Sequence, residues 1–261
     1  MAQHGSQHHP RLHSVKRPAE GRGLRRGVSL LPSLFTLANL FCGWACVIYA
    51  IRGDLPTAAP FIGIAVVLDM LDGRIARMTG TTSEFGVQLD SLADLISFGM
   101  APAILAFQWG LVPLGRLGWA VGFLFVTAAA LRLARFNIQT HTDKRYFVGM
   151  PSPAAAAVPA ATVFYFPEGM HTFQQALPAL AVVLVPALLM VSTIRFRSFK
   201  SIDLGIKRSY RGLIAMAALI AAVASRPHEV LLLMAYAYLA SAFVGFAMSR
   251  LRAHRHATAP D

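Results

Sequence analysis

Long apolar stretches, each about the length of a membrane-spanning helix, recur along most of this chain and are separated by short polar segments. A helix that crosses the hydrocarbon core of a bilayer needs about 20 mostly apolar residues. The pattern therefore predicts an all-α, polytopic helical membrane protein with eight transmembrane helices. The predicted helices cover residues 32–51, 56–76, 88–109, 113–133, 153–170, 176–194, 212–225 and 229–249.

The two ends of the chain differ from this apolar region. Residues 1–27 are polar, basic and rich in histidine, which is typical of disordered segments. We expect a disordered cytoplasmic tail at 1–27, one membrane domain at 28–252 and a C-terminal tail at 253–261. The first apolar stretch is not expected to be a cleaved signal peptide, because it is too long and seven further stretches follow it.

The composition supports a membrane protein. Mean hydropathy is +0.54, and charged residues make up 14% of the chain, against about 25% in soluble domains. The net charge of +12 would suit nucleic acid, but no recognition motif accompanies it. We therefore expect no nucleic-acid partner and assign the basic charge to membrane topology and to attraction by anionic lipid headgroups.

The positions of the basic residues predict the orientation of the helices. If the N-terminus is cytoplasmic, 21 of the 24 lysines and arginines fall on the cytoplasmic side. This distribution satisfies the positive-inside rule and places both termini in the cytoplasm. Two basic polar segments, at about 135–150 and 195–211, are predicted on that same side, together with the end of the second helix.

Four of the twelve acidic residues fall within 26 positions of otherwise apolar sequence. Asp69 and Asp72 are three residues apart, and Asp90 and Asp94 are four apart, so each pair projects from one face of a helix. A polar turn at 78–85 lies between the two predicted helices. The two pairs should therefore face each other at the cytoplasmic end of the helices.

Such a cluster suffers from desolvation and like-charge repulsion unless a cation compensates it. Oxygen ligands without histidine or thiolate suit Mg²⁺ or Mn²⁺. Four carboxylates exceed what one Mg²⁺ usually takes from a protein, which favours two ions that clamp a phosphoryl group. Gly73 and Ala76 beside the acids, with Gly86 opposite, would leave room for a phosphate or a nucleotide.

Two other interpretations of the acidic cluster are open. The aspartates could form structural salt bridges with Arg74, Arg77 or Arg132, although paired spacing of four acids is unusual for that role. The chain could also be a transporter whose aspartates bind the transported cation. A transporter predicts acids near the middle of the bilayer, whereas these pairs flank a cytoplasmic turn.

The spacing of eight residues in this region resembles the signature of the CDP-alcohol phosphotransferases at every position. These residues are Asp69-x2-Asp72-Gly73-x2-Ala76-Arg77-x8-Gly86-x3-Asp90-x3-Asp94. The resemblance implies a helical membrane enzyme, often dimeric, that transfers a phosphatidyl or similar group from a CDP-linked donor to an alcohol and releases CMP. It also implies that Asp69, Asp72 and Asp90 bind metal, and that Asp94 is both a metal ligand and the general base.

The flanking sequence is similar to one branch of that family, the integral-membrane phosphatidylserine synthases. The similar segments are Leu31–Gly43, Ser97–Ala103, Arg132–Asn137, Phe147–Ala154 and Phe196–Lys200. The branch implies CDP-diacylglycerol and L-serine as substrates, and a bacterial inner membrane location with the active site facing the cytoplasm. Ser33 departs from the branch, which often has asparagine there. Glycerol 3-phosphate and inositol phosphate remain alternative acceptors.

The resemblance also suggests which residues bind each substrate. The carboxylate of serine needs a cation, and a guanidinium suits it geometrically. For Arg132 and Arg135, a role as interfacial anchors is an open alternative, as is helix capping for Ser152. The expected donor-binding residues are Thr36, Asn39, Asp69, Gly73, Ala76, Arg77 and Gly86, and the expected serine-binding residues are Arg132, Arg135, Asn137 and Ser152.

Overall fold

The computed structural model describes residues 22–79, 83–138, 146–192, 195–197 and 210–241. These residues form eight helices and one two-stranded ribbon. The helices are α1 (Arg22–Ile51), α2 (Leu55–Thr79), α3 (Glu84–Leu114), α4 (Arg116–Ile138), α5 (Ser152–Tyr165), α6 (Phe173–Val191), α7 (Tyr210–Ser225) and α8 (227–241). The strands are β1 (Tyr146–Val148) and β2 (Arg195–Arg197).

Each of the eight helices overlaps one of the eight predicted apolar stretches. Residues 22–27 lie in α1, and the rest of the two predicted tails lies outside the described residues. Among the described residues, five helical segments are long and apolar enough to cross a membrane, so the chain is a polytopic membrane protein. These segments are Ser33–Ile51, Leu55–Ile75, Glu84–Leu114, Arg116–Ile138 and Phe173–Val191.

The fifth helix is shorter than predicted. A span was expected at 153–170, but α5 has 14 residues and ends at Tyr165. Phe166 leaves the helical region, with φ −120° and ψ 75°. Because Pro167 follows it, the proline ring disfavours helical geometry at Phe166 and stops the helix there.

α1 presents two faces of different character. Its outer face carries exposed large apolar side chains, as expected for contact with lipid, and its inner face packs against α2 and α3 with small and polar residues. The outer face includes Leu34, Leu37, Phe41 and Trp44, and the inner face includes Thr36, Asn39, Cys42, Cys46 and Ala50. Polar residues in the site-side half of α1 thus point into the bundle.

α1 and α3 approach each other closely at Gly43. A Cβ atom added to Gly43 would lie 2.5 Å from Ser97 Oγ and 2.7 Å from Ser97 Cα. The Ser97 hydroxyl donates a hydrogen bond of 2.9 Å to the main-chain oxygen of Asn39. Only glycine fits at this crossing. The close contact and the hydrogen bond hold α1 against α3 beside the acidic residues.

α3 is not a uniform helix. Its regular part, Glu84–Leu95, is followed by a π-helical turn at Ile96–Met100, and a second π-helical turn covers Phe107–Leu111. Such turns are rare and often lie at functional sites. The first begins two residues after Asp94, where it sets the direction in which the rest of α3 continues.

A short ribbon joins two loops at one end of the bundle. β1 pairs with β2 in antiparallel register, with Phe147 opposite Phe196. The ribbon connects the segment between α4 and α5 to the segment after α6. This pairing agrees with the prediction that both basic segments share a side, although the strands themselves were not predicted from the sequence.

Candidate active site

Three aspartates from two neighbouring helices converge in the bundle. Asp69 comes from α2, and Asp90 and Asp94 come from α3. Each offers a carboxylate oxygen, and these three oxygens all lie within 4.8 Å of one another. Since a helix rises about 1.5 Å per residue, the three residues lie about 9–15 Å from the nearby ends of their helices. The cluster is therefore inside the bundle rather than in the connecting turn.

Asp72 lies outside this group of three and has its own partner. It is buried, with 6% of its surface exposed, and it accepts a hydrogen bond from the Thr36 hydroxyl of α1. Thr36 is also buried. The structure thus places Thr36 against a carboxylate of the acidic motif.

Asn39 has a similar role and lies one helical turn further along α1. Its side-chain nitrogen donates a hydrogen bond of 3.2 Å to Asp94 Oδ1, and its own surface is 1% exposed. Thr36 and Asn39 are three residues apart, so both project from the inner face of α1. That spacing was visible in the sequence, but their carboxylate partners were not, because those partners lie 36 and 55 residues away.

Arg132 of α4 supplies positive charge near the cluster. It lies within electrostatic range of Asp69 and Asp94, and its Nη1 donates a hydrogen bond of 3.1 Å to Ser152 Oγ at the start of α5. Ser152 is buried, with 1% of its surface exposed. Two of the predicted serine-binding residues are therefore hydrogen-bonded to each other beside the aspartates.

The other two predicted serine-binding residues have different surroundings. Asn137 donates a hydrogen bond of 2.9 Å to the hydroxyl of Ser91, the residue next to Asp90, and so ties α4 to α3. Arg135 is exposed. The structure therefore groups Arg132 and Ser152 with the acids, and it places Asn137 on a neighbouring helix contact.

The glycines of the motif differ in their surroundings. A Cβ atom at Gly73 would meet no heavy atom within 4 Å, so there is open space on that side of α2. The nitrogen of Gly86 donates a hydrogen bond of 3.0 Å to Ser83 Oγ, which caps α3. Ala76 and Arg77 lie in α2, but their side chains are outside the described portion of the chain.

The salt-bridge interpretation finds no support among the side chains that the structure describes. Within that set, the ion pair present is Arg226 with Glu229, at 3.7 Å and remote in sequence from the acidic motif. Arg74 is exposed. Asp72 and Asp94 are thus held by hydrogen-bond donors on α1, and among the described residues no aspartate of the motif forms a direct ion pair with Arg132.

The chemistry of the ligand atoms fits a hard divalent cation. Carboxylate oxygens are preferred by Mg²⁺ and Mn²⁺, and three of them within 4.8 Å can share one ion. Cys42 and Cys46 are buried free thiols on α1 and are not in this group. The cluster is therefore a candidate metal site made of oxygen ligands.

The fold and the site together define a helical membrane protein with a candidate site for a divalent cation between its helices. The model of the CDP-alcohol phosphatidyltransferase family matches residues 29–193, which cover most of α1, all of α2 to α6 and every aspartate of the site. The chain belongs to this family, whose members use divalent metals.

Several relatives of this chain are named as enzymes that make serine lipids. A CDP-diacylglycerol–serine O-phosphatidyltransferase of Helicobacter pylori is 41% identical over 184 residues, which cover 68% of this chain and 76% of the relative. The Bacillus subtilis enzyme of the same name is 32% identical, over 66% of this chain and 93% of the relative. An archaetidylserine synthase of Methanothermobacter thermautotrophicus is 37% identical, over 64% of this chain and 69% of the relative.

Proposed function

We propose that this protein transfers the phosphatidyl group of CDP-diacylglycerol to the hydroxyl of L-serine, giving phosphatidylserine and CMP. The observation that carries the proposal is the convergence of Asp69, Asp90 and Asp94 in a chain that is 41% identical to an enzyme named for this reaction. Relatives from two further organisms, including one that makes a serine lipid of archaea, support serine as the acceptor.

The aspartates are proposed to hold two divalent cations, Mg²⁺ or Mn²⁺. When bound, these ions would neutralise the phosphates of the donor and the charge that develops on the departing CMP. Asp69, Asp72, Asp90 and Asp94 are the proposed ligands. Thr36 fixes the orientation of Asp72 through its hydrogen bond, so it contributes to the site by holding a ligand in place.

Asp94 is the proposed general base. It takes the proton of the serine hydroxyl as the oxygen attacks the lipid-linked phosphorus, and the bond from that phosphorus to the oxygen of CMP breaks. Because the hydroxyl has a very high pKa, the base acts mainly while the proton moves in the transition state. The amide nitrogen of Asn39, 3.2 Å from Asp94 Oδ1, fixes one carboxylate oxygen and leaves the other to receive the proton.

The donor is proposed to enter from the side of the bundle, with its acyl chains in lipid and its pyrophosphate between α2 and α3. The open space beside Gly73 supports this position, because a Cβ atom added there would meet no heavy atom within 4 Å. Ala76, Arg77 and Gly86 remain proposed contacts of the donor by resemblance. Thr36 and Asn39 orient the carboxylates to which they donate hydrogen bonds.

The acceptor is proposed to lie near α4 and the start of α5. Arg132 and Ser152 form the described hydrogen-bonded pair there, and the guanidinium supplies the charge that a serine carboxylate needs. Arg135 and Asn137 are proposed to line the outer region of this site.

The active site is proposed to face the cytoplasm of a bacterium, with both termini on that side and the tails at 1–27 and 253–261 flanking one membrane domain.

The direct experiment is an assay of the purified protein with CDP-diacylglycerol and Mg²⁺ or Mn²⁺. Labelled serine, inositol phosphate and glycerol 3-phosphate are supplied in separate reactions, and label in lipid and released CMP are measured. We expect label from serine alone, in amounts equal to the CMP released. If label enters lipid only from another alcohol, serine is not the acceptor. If no CMP is released with any of the three acceptors, the protein does not transfer the phosphatidyl group to these alcohols.

A further inference from the structure

Two residues that interact with Asp94 each carry a buried polar atom that lacks a hydrogen-bond partner among the described residues. One is Asn39 Oδ1 and the other is Arg132 Nε. A buried polar atom that is left unsatisfied costs about 1–3 kcal/mol, and folded proteins leave few of them. Asn39 Oδ1 is a hydrogen-bond acceptor, and Arg132 Nε–H is a donor on a positively charged group. A ligand that satisfies both atoms must carry a hydrogen-bond donor and a negatively charged acceptor.

The orientation of Asn39 is set by its other contacts. Its amide nitrogen donates to Asp94 Oδ1, and its main-chain oxygen accepts the Ser97 hydroxyl. Because the amide nitrogen is bonded to Asp94, the amide oxygen is the polar atom of this side chain that lacks a partner. An amide oxygen can only accept hydrogen bonds. Asn39 is 1% exposed, so a donor that reaches this oxygen must come from within the site.

Arg132 is also fixed by one of its hydrogen bonds. Its Nη1 donates to Ser152 Oγ at 3.1 Å, and Ser152 is itself buried. The Nε–H is a further donor on the same rigid plane, and a guanidinium edge binds a carboxylate through two parallel hydrogen bonds. Arg132 also interacts electrostatically with Asp94 and Asp69, so its positive charge acts on the same cluster as the amide of Asn39.

We propose that Asn39 Oδ1 and Arg132 Nε form a cradle for an α-amino acid at Asp94. Asn39 accepts a hydrogen bond from the ammonium group, Arg132 donates to the carboxylate, and the hydroxyl of the same molecule meets Asp94. This inference rests on the proposed function and assigns Asn39 to the acceptor rather than to the donor. It explains why an alcohol that is also a zwitterion would be preferred, since each charged group satisfies one buried atom.

The test removes one group at a time from the ligand and from the protein. Ethanolamine lacks the carboxylate of serine, and 3-hydroxypropionate lacks the ammonium group. Each is added as a competitor to the incorporation of labelled serine, and its KI is compared with the KM of serine. For the wild-type protein we expect both competitors to bind about 10- to 100-fold more weakly than serine, the size of one hydrogen bond to a charged group.

Each of two protein variants should lose one of these two preferences and keep the other. Arg132→Gln should abolish the preference for serine over ethanolamine and keep the preference over 3-hydroxypropionate. Asn39→Leu should do the reverse. Asn39→Leu also removes the bond to Asp94, but that loss lowers kcat without changing which competitor is discriminated. Arg116→Gln, which removes a charge from the exposed start of α4, is the control and should keep both preferences.

The outcomes separate this inference from the proposed function. If the wild-type protein incorporates no serine, the proposed function fails first. If it incorporates serine but shows no preference over either competitor, or if both variants weaken all three ligands equally, the cradle is wrong. If Arg132→Gln does not fold, Arg132→Lys keeps the charge without the Nε–H, and the same selective loss against ethanolamine is expected; an unchanged ratio would overturn the role of Arg132.

Discussion

Asp94 receives a hydrogen bond from α1 and shares its surroundings with two other acids. Replacing it with asparagine keeps the size of the side chain and removes the basic oxygen. We expect Asp94→Asn to lower kcat about 100- to 10,000-fold, the usual contribution of a positioned general base. The measurement is CMP release at saturating donor and serine.

The matched control for that substitution is Asp54→Asn. Asp54 is exposed between α1 and α2, and its carboxylate accepts a hydrogen bond from the nitrogen of Thr57, which asparagine can also do. We expect Asp54→Asn to keep wild-type turnover. Substantial activity in Asp94→Asn, at equal protein amount and stability, would contradict the role of Asp94 as base.

Substitutions of Thr36 test whether the proposed metal-binding carboxylate of Asp72 must be held by a buried hydrogen-bond donor. Thr36→Val has nearly the same shape but cannot donate to Asp72, whereas Thr36→Ser can. We expect Thr36→Val to raise the Mn²⁺ concentration needed for half-maximal activity about 10- to 100-fold, because a hydrogen bond to a charged group contributes about 1.5–3 kcal/mol. Titration of activity with Mn²⁺ measures this, and Thr36→Ser should restore most of the affinity. Equal Mn²⁺ requirements in all three proteins would exclude such a role for Thr36.

At the scale of single residues, the sequence carried the acids but not their partners. The spacing of Asp69 and Asp72, and that of Asp90 and Asp94, predicted that each pair shares one face of its helix, because helical periodicity is a local property. The donors to Asp72 and Asp94 come from α1, and a contact across 36 or 55 residues leaves no local pattern. The hydrogen bond between Arg132 and Ser152 likewise depends on how α4 meets α5.

At the scale of helices, the crossing of α1 over α3 at Gly43 determines where Asn39 meets Asp94. An added methyl group would approach the backbone of Ser97 to 2.7 Å, so the helices must separate. We expect Gly43→Ala to lower kcat about 100-fold, because a displacement of about 1 Å in an active site can cost that much. Steady-state kinetics in detergent or vesicles provide the measurement.

Two other helical glycines provide controls for this substitution. A Cβ atom at Gly63 in α2 or at Gly122 in α4 would meet nothing within 4 Å. Gly63→Ala and Gly122→Ala should therefore keep wild-type kinetics, and their stability is compared with that of Gly43→Ala in the same detergent. A Gly43→Ala enzyme as active as these two would show that the close crossing does not position the site.

The helices themselves were predictable, since each is a long apolar run, whereas their irregular segments were not. The π-helical turns of α3 and the early end of α5 depend on local geometry that hydropathy does not record. The three-residue strands β1 and β2 are too short to show an alternating pattern, and they form because two loops meet.

At the scale of the whole molecule, the count of basic residues predicts which end of the bundle faces the cytoplasm. Glu84 starts α3 at the end near the aspartates, and Thr57 lies in the first turn of α2 at the opposite end; both are exposed. In intact cells, we expect a membrane-impermeant maleimide to label Thr57→Cys but to label Glu84→Cys only after the membrane is opened. The unmodified protein, whose Cys42 and Cys46 are buried, is the control. The reverse labelling pattern would invert the predicted orientation.

The depth of the three aspartates, about 9–15 Å inside the ends of their helices, has a consequence for how the enzyme would meet its donor. A phosphate that reaches them can belong to a lipid that never leaves its leaflet, so no acyl chain need be exposed to water at about 0.8 kcal/mol per methylene. Encounter then takes place by diffusion in two dimensions. The turnover rate should follow the mole fraction of donor in the membrane and fall when inert lipid is added, even though the amount of donor per volume of sample is unchanged.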